Sequence, residues 1–267
     1  MKLRVLSLGA GVQSSTLALM IEKGLIPKVS CGIFADTGGE PKLVYSHLEW
    51  LEKQLSFPVY RVGKGDLRKD MIDAIDGKYK FLTVPLYTIN SKTGKKGLLK
   101  RQCTNDYKIQ PIVQQIRKLL GLKKRQRVKK DMSVELLMGI SIDEIIRMKS
   151  NRMPYIKNVF PLIDMKISRQ DCKNWIKKHY NIEAPRSACT YCPFHNDQEW
   201  REMKENNPEE FKEVVEFDKK IRLNSRDKDV QVFVHQSCQP IDQVNFSKKK
   251  DSQLNLFNNV FECYCGN

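Results

Sequence analysis

Several groups of side chains in this sequence have the types and spacing that chemistry requires. Cys189-Thr190-Tyr191-Cys192 sets two thiols at a separation that lets both grip one metal ion or one corner of a cluster. Pro193 then prevents the turn from running on as regular ladder structure. Leu8-Gly9-Ala10-Gly11-Val12-Gln13-Ser14-Ser15 offers small residues that let backbone amides approach a phosphate, with two hydroxyls beside them. It lacks the Lys of a Walker loop and the spacing of a dinucleotide fingerprint, so locally it reads as a phosphate turn or as a plain tight turn. Asp36-Thr37 is open in the same way: the carboxylate could hold Mg²⁺, hold a ribose hydroxyl, or close an Asx turn.

The elements that must carry these groups alternate. Leu3 to Leu8 is a short apolar strand pattern, Ser15 to Lys23 a helix, Val29 to Phe34 a strand, Pro41 to Leu55 a helix and Pro58 to Val62 a strand. This βαβαβ rhythm predicts an α/β, doubly wound, mostly parallel Rossmann-like sheet. The turn at Gly9 and the carboxylate of Asp36 then fall at the carboxyl edge, where such sheets bind ligands. Tyr87 to Arg101 is polar and without periodicity, and is expected to be a loop. Ile109, Ile112, Val113, Ile116 and Leu119 fall at helical spacing, with Pro111 in the first turn. Val134 to Ile140 is a buried-strand pattern that returns the chain to the sheet. Ser168 and Asp171 form a capping box before a helix with Cys172, Trp175, Ile176 and His179, and Asn207-Pro208-Glu209-Glu210 opens another. The expected organisation is an α/β domain over 1–165 and a helical, cysteine-bearing region over 166–267.

Composition limits the function classes. The 267 residues hold 47 Lys and Arg against 31 Asp and Glu, a net charge of +16, with 40% hydrophobic residues. That apolar content excludes a disordered, collagenous or coiled-coil chain. No run approaches the ~18 apolar residues of a membrane span, and the first residues lead into a strand and not a secretory signal, so a cytoplasmic protein without a membrane partner is expected. Eight cysteines in such a compartment call for metal, catalysis or burial in preference to disulfides. Cys31 and Cys172 sit in apolar patterns and are expected in the core. Arg117 to Lys130 holds eight basic residues in fourteen and no acidic one, half of the net charge. It reads either as a solvated loop or as a phosphate-tracking surface for tRNA or DNA beside the small-molecule site.

Taken together, five segments resemble the PAPS reductase-like branch of the adenine nucleotide alpha hydrolase (PP-loop ATP pyrophosphatase) superfamily, in its bacterial and phage form. They are the first turn, Asp36-Thr37-Gly38, Arg101 to Pro111, Gly139 to Glu144 and Ser187 to His195. The family's SGGxDS turn corresponds to Gly9 through Ser14, with Gly9 in place of Ser and Gln13 in place of Asp. The resemblance implies that Leu8, Gly9, Ala10, Gly11, Gln13, Ser14 and Ser15 hold the phosphates of ATP, or of PAPS or APS. Asp36 and Thr37 would face the nucleotide and Mg²⁺, and Gly139 and Ile140 would line the adenine. It implies that Arg101 and Lys108 neutralise phosphate charge, while Asp143, Glu144 and Arg147 orient the following helix. It further implies a [4Fe–4S] cluster, or Zn²⁺, on Cys103, Cys189, Cys192 and Cys265, with Cys238 or Cys263 in reserve. His195 would either bond a cluster sulfur or serve structurally. The implied activity is ATP-dependent adenylation followed by sulfur transfer to a nucleic acid or nucleoside from an unnamed sulfur donor. The alternatives are a thiosulfonucleotide reductase using Cys263 or Cys265, and a nucleic-acid binder with a structural metal.

Overall fold

The computed structural model describes residues 2–75, 84–223 and 229–246. These form two compact units, one from 2–64 and 105–187, the other from 65–104 and 188–246. The first unit opens with β1 (Lys2–Leu8), α1 (Val12–Glu22), β2 (Cys31–Asp36), α2 (Lys42–Gln54) and β3 (Val59–Gly63). The chain then passes into the second unit through α3 (Leu67–Ile75), β4 (Tyr87–Asn90) and β5 (Lys96–Leu98). A π-helical turn (Thr104–Ile109) runs directly into α4 (Gln110–Leu119), followed by β6 (Ser133–Met138), a 3₁₀ turn (Ile142–Arg147), β7 (Ile156–Val159), α5 (Pro161–Asp164) and α6 (Arg169–Tyr180). The second unit closes with α7 (Asp197–Asn206), α8 (Pro208–Leu223) and β8 (Val230–Phe233).

The doubly wound sheet is present in the first unit, with five parallel strands in the order β3-β2-β1-β6-β7. Side chains alternate across it, as strand geometry requires. Leu3 and Val5 of β1 face α4 with Ile112, Val113 and Ile116, whereas Leu6 and Leu8 face α1, α2 and α6. Enclosed in that second layer, α1 is buried nearly all round, its polar Gln13, Ser15 and Thr16 included. Leu17, Leu19 and Ile21 are at most 1% exposed, and each such burial contributes about 1.5–3 kcal/mol. This extra cover is why the helix begins at Val12 and not at Ser15. Cys31 and Cys172 lie in these layers as expected, and burial pushes both thiols up to about 11, so neither is a thiolate at neutral pH. The α6 capping box is made: Asp171 N donates to Ser168 Oγ at 3.1 Å and Ser168 N to the Asp171 carboxylate at 2.9 Å.

In the second unit the segment from Tyr87 is not a loop. β4 and β5 form a hairpin, and β8 completes an antiparallel sheet in the order β5-β4-β8. Asn90 Oδ1 accepts from Lys92 N and Thr93 N and so shapes the hairpin turn. The pattern was invisible locally because every β4 residue is half-buried and its second partner, β8, lies about 140 residues further on. α8 packs on α3, α7 and β8. Asp218 of α8, 1% exposed, accepts from Val234 N at 3.0 Å and Ile241 N at 3.2 Å and fixes the segment that follows β8. The units do not divide at a single boundary near 165. Residues 65–104 group with the C-terminal part, and α6 groups with the parallel sheet. No helix among the described residues is long and apolar enough to cross a membrane.

Candidate nucleotide site

In the parallel sheet β2 and β3 lie to one side of β1, and β6 and β7 to the other, so strand order reverses between β1 and β6. Ligands of open α/β folds bind outside the carboxyl ends of the strands at such a point. The register pairs Ser7 with Met138, which brings the turn after β1 against Gly139. The approach is backbone to backbone: a Cβ on Gly139 would stand 2.7 Å from both Cα and N of Ser14. On its other side the turn is met by the segment ending at Ser187, since a Cβ on Gly11 would lie 3.0 Å from Ser187 Cβ.

The turn itself forms a small cradle of backbone amides. Gly9 N and Gly11 N both donate to Ser14 Oγ at 3.2 Å, so two amides converge on one oxygen at the N-terminus of α1. Ala10 between them adopts φ +53°, the left-handed region, and is fully buried. An alanine there, where the SGGxDS pattern has glycine, costs on the order of 1–2 kcal/mol.

Other expected residues are placed with clear differences. Gln13 is buried and its Nε2 donates to Glu144 Oε2 at 3.0 Å and, more weakly, to Ser141 Oγ at 3.4 Å. Glu144 also pairs with Arg147 at 2.7 Å. Glu144 thus serves the turn, and Asp143 orients the next helix through Arg169 N at 2.9 Å. Ser15, expected to offer its hydroxyl to phosphate, is completely buried and bonded to His47 Nε2 of α2 at 2.9 Å. One turn along α1 from the cradle, it faces the helical layer. Leu8 and Ile140 are core side chains and bring only backbone to the site.

Asp36 makes the Asx turn, accepting from Gly38 N at 2.8 Å, and also accepts from Tyr45 OH at 2.7 Å. Burial and the adjacent carboxylate push the Tyr45 phenol up, so it stays a donor. Thr37 is buried and donates to Glu40 Oε1 at 3.5 Å. Glu40 is the residue that sequence reasoning passed over. Its side chain is 1% exposed and it pairs with Lys108 Nζ at 3.1 Å. Lys108 therefore reaches the carboxyl edge of the sheet with its charge already balanced. At the end of β3, Lys64 Nζ lies 4.7 Å over the Tyr107 ring and 3.9 Å from Asp106.

Arg101 and Cys103 belong to the second unit, as do Cys189 and Cys192. Arg101 donates to Thr104 Oγ1 at 2.6 Å and its guanidinium stacks 5.5 Å over Phe194. Cys189 and Cys192 form the expected turn, Cys192 N donating to Cys189 O at 3.0 Å. His195 Nε2 meets the carbonyl of Cys189 at 2.9 Å, a backbone tie. Among the described residues no group of three or more His, Cys, Asp or Glu could hold a metal ion. Cys103, Cys189 and Cys192 therefore do not form a three-thiolate cage, and Cys263 and Cys265 lie outside the described residues. Cys238, at φ +57°, is turned to Thr88 O at 3.6 Å.

The chain is similar to a phosphoadenylyl-sulfate (PAPS) reductase of known structure. That protein, from Candida auris and solved as its phosphate complex, is 16% identical, over 69% of this chain and 74% of its own, with a TM-score of 0.41. No protein-family model and no curated protein matches the sequence. The Rossmann-like character of the first unit is evident from its strand order and register.

His47 supplies a pH prediction for this unit. Burial holds its imidazole down to about 4, from an ordinary 6.5. Because the folded-state value is the lower one, stability is full above pH 6.5 and is lost progressively as pH falls through 4, by about 3 kcal/mol in all. Urea denaturation of the wild type between pH 7.5 and 4 is expected to show this loss. His47→Gln, which keeps a polar partner for Ser15 and cannot titrate, is expected to lose clearly less across the same window.

Proposed function

We propose that the parallel-sheet unit binds an adenine nucleotide with its phosphates on the Gly9 to Ser14 turn, and that the protein uses this site to adenylate an acceptor and prepare it for sulfur transfer. The observation that carries the reading is the convergence of the Gly9 and Gly11 amides on one oxygen position at the switch point, held there by the backbone contact of Gly139 with Ser14. A phosphate oxygen in the place of Ser14 Oγ would accept both amides and the field of the α1 N-terminus.

In this reading an acceptor oxygen attacks the α-phosphorus of ATP, the bond from α-phosphorus to the bridging oxygen breaks, and pyrophosphate leaves with the bonding electrons. The protein's part is positioning and charge stabilisation. The two amides meet the developing charge, Gln13 is fixed by Glu144 so that the turn keeps its shape, and Lys108 can exchange Glu40 for a phosphate oxygen. The amide of Gln13 gives no anionic ligand, so Mg²⁺, which would offset phosphate charge when bound, would be held by Asp36 and the phosphates themselves. One or two carboxylates plus phosphate is the usual mode for that ion. A sulfur nucleophile then displaces AMP.

The test is calorimetric titration with ATP and with PAPS, followed by pyrophosphate and sulfite assays. ATP binding, with pyrophosphate release that depends on an added nucleic acid or nucleoside, is the expected result. Sulfite release from PAPS with a thiol donor would replace this chemistry by sulfonucleotide reduction. Failure to bind either nucleotide would overturn the assignment of the turn.

A further inference from the structure

Half of the net charge lies in Arg117 to Lys130, and the fold places it away from the nucleotide site. The segment joins the C-terminus of α4 to the N-terminus of β6, whereas the candidate site lies beyond the C-terminus of the same strand, at Gly139. At roughly 3.3 Å per residue, the six residues of β6 separate the two by about 20 Å. The segment therefore occupies the amino edge of the sheet and is not beside the phosphate turn.

This loop is internally braced. Arg117 Nη2 donates to the carbonyls of Lys123 at 3.2 Å and Gln126 at 2.6 Å, and Lys123 N donates to Gln126 Oε1 at 2.9 Å. Its apolar residues face inward: Leu122 is buried and Val128 packs on the layer under α4. What remains on the outside is cationic, with Lys123, Lys124, Arg125, Arg127, Lys129 and Lys130 all exposed. The neighbouring loop into β7, the strand paired with β6, carries exposed Lys149 and Arg152 as well.

We infer that this amino edge is a docking surface for the phosphate backbone of a nucleic acid, separate from the nucleotide site and about 20 Å from it. The display selects the partner class. The apolar side chains of the loop are spent on the core, which leaves neither the apolar centre of a protein interface nor side chains to anchor in a bilayer, and the vesicle arm of the test below separates a purely electrostatic membrane contact. A braced row of Lys and Arg matches backbone contact, which is independent of sequence and falls steeply with salt. The surface anchors a long polyanion and does not itself present an acceptor atom to the phosphates. It goes beyond the nucleotide reading and does not depend on it.

The test is fluorescence anisotropy of the full-length protein with a labelled duplex of roughly 20 base pairs over a KCl series starting near 50 mM. Wild type is expected to bind, with log K falling linearly against log[KCl]. The variant K123Q/K124Q/R125Q/R127Q is expected to bind at least tenfold more weakly and to lose about 3–4 units of salt slope, with ATP affinity unchanged. A control with equal charge removed from the second unit, K204Q/K212Q/K219Q/K220Q, is expected to stay within about threefold of wild type. Equal weakening by both variants would reduce the effect to net charge and overturn the surface. So would absence of duplex binding at the lowest salt, or binding to phosphatidylserine vesicles in its place.

Discussion

Gly139→Ala is expected to weaken ATP binding by about a hundredfold, because the added methyl group pushes directly on the backbone of the turn proposed to hold the phosphates. The new Cβ would lie 2.7 Å from Ser14 Cα and Ser14 N and 3.1 Å from Gln13 C. These are backbone atoms at the first turn of a buried helix, so no side-chain tip can swing aside. The strain is relieved only by parting the ends of β1 and β6, which costs roughly 1–3 kcal/mol of stability and disturbs the two converging amides. Gly9→Ala is the matched comparison: its Cβ would meet only Ser14 Oγ and Ser187 Oγ at 3.6 Å, an ordinary contact. It is expected to leave the melting temperature nearly unchanged and to reduce affinity far less than Gly139→Ala. Calorimetric titration together with thermal melts separates the effects. Wild-type affinity in a folded Gly139→Ala protein would remove the switch-point turn from the binding site.

The second large effect is expected at Lys108. Its partner Glu40 is 1% exposed, and Lys108→Met leaves that carboxylate buried opposite a neutral side chain. Breaking a buried pair on one side costs about 3–5 kcal/mol, whereas replacing both members is close to neutral. The urea midpoint of Lys108→Met is therefore expected to fall sharply, and that of Glu40→Gln/Lys108→Met to recover most of the loss. The double variant is expected to remain unable to hold nucleotide, because the cation is gone. Glu40→Gln alone leaves the Lys108 charge unbalanced and is expected to tighten ATP binding severalfold. A double variant as unstable as Lys108→Met would show that the pair is not held by charge compensation.

These outcomes depend on contacts of unequal legibility. The strands β1, β2 and β3 and the helix α2 were readable because their apolar residues recur at strand or helix period. The starts of α6 and α8 were readable because Ser168 and Asp171 cap the first amides of α6, while Pro208 needs no partner for an amide and its acidic neighbours suit a helix N-terminus. The β4–β5 hairpin was missed because its pairing with β8 is a long-range event and its residues carry no clean alternation. Ser15 was misjudged for a related reason. Its type suits a phosphate site, but the helical period turns it toward His47, which lies 32 residues away. Glu40 drew no notice because a lone acidic residue after a strand reads as a solvated charge until Lys108, 68 residues on, is brought to it.

The sequence by itself determined the parallel α/β class, the position of the small-residue turn at the end of the first strand and the existence of a concentrated cationic segment. Each is encoded in near neighbours, through periodicity, capping and local charge. Only the tertiary structure decided that Gly139 closes on Ser14, that Lys108 arrives already paired, and that the cationic segment lies at the opposite edge of the sheet from the nucleotide turn. Strand order and register set those three facts, and both are fixed by which apolar faces bury together across the chain.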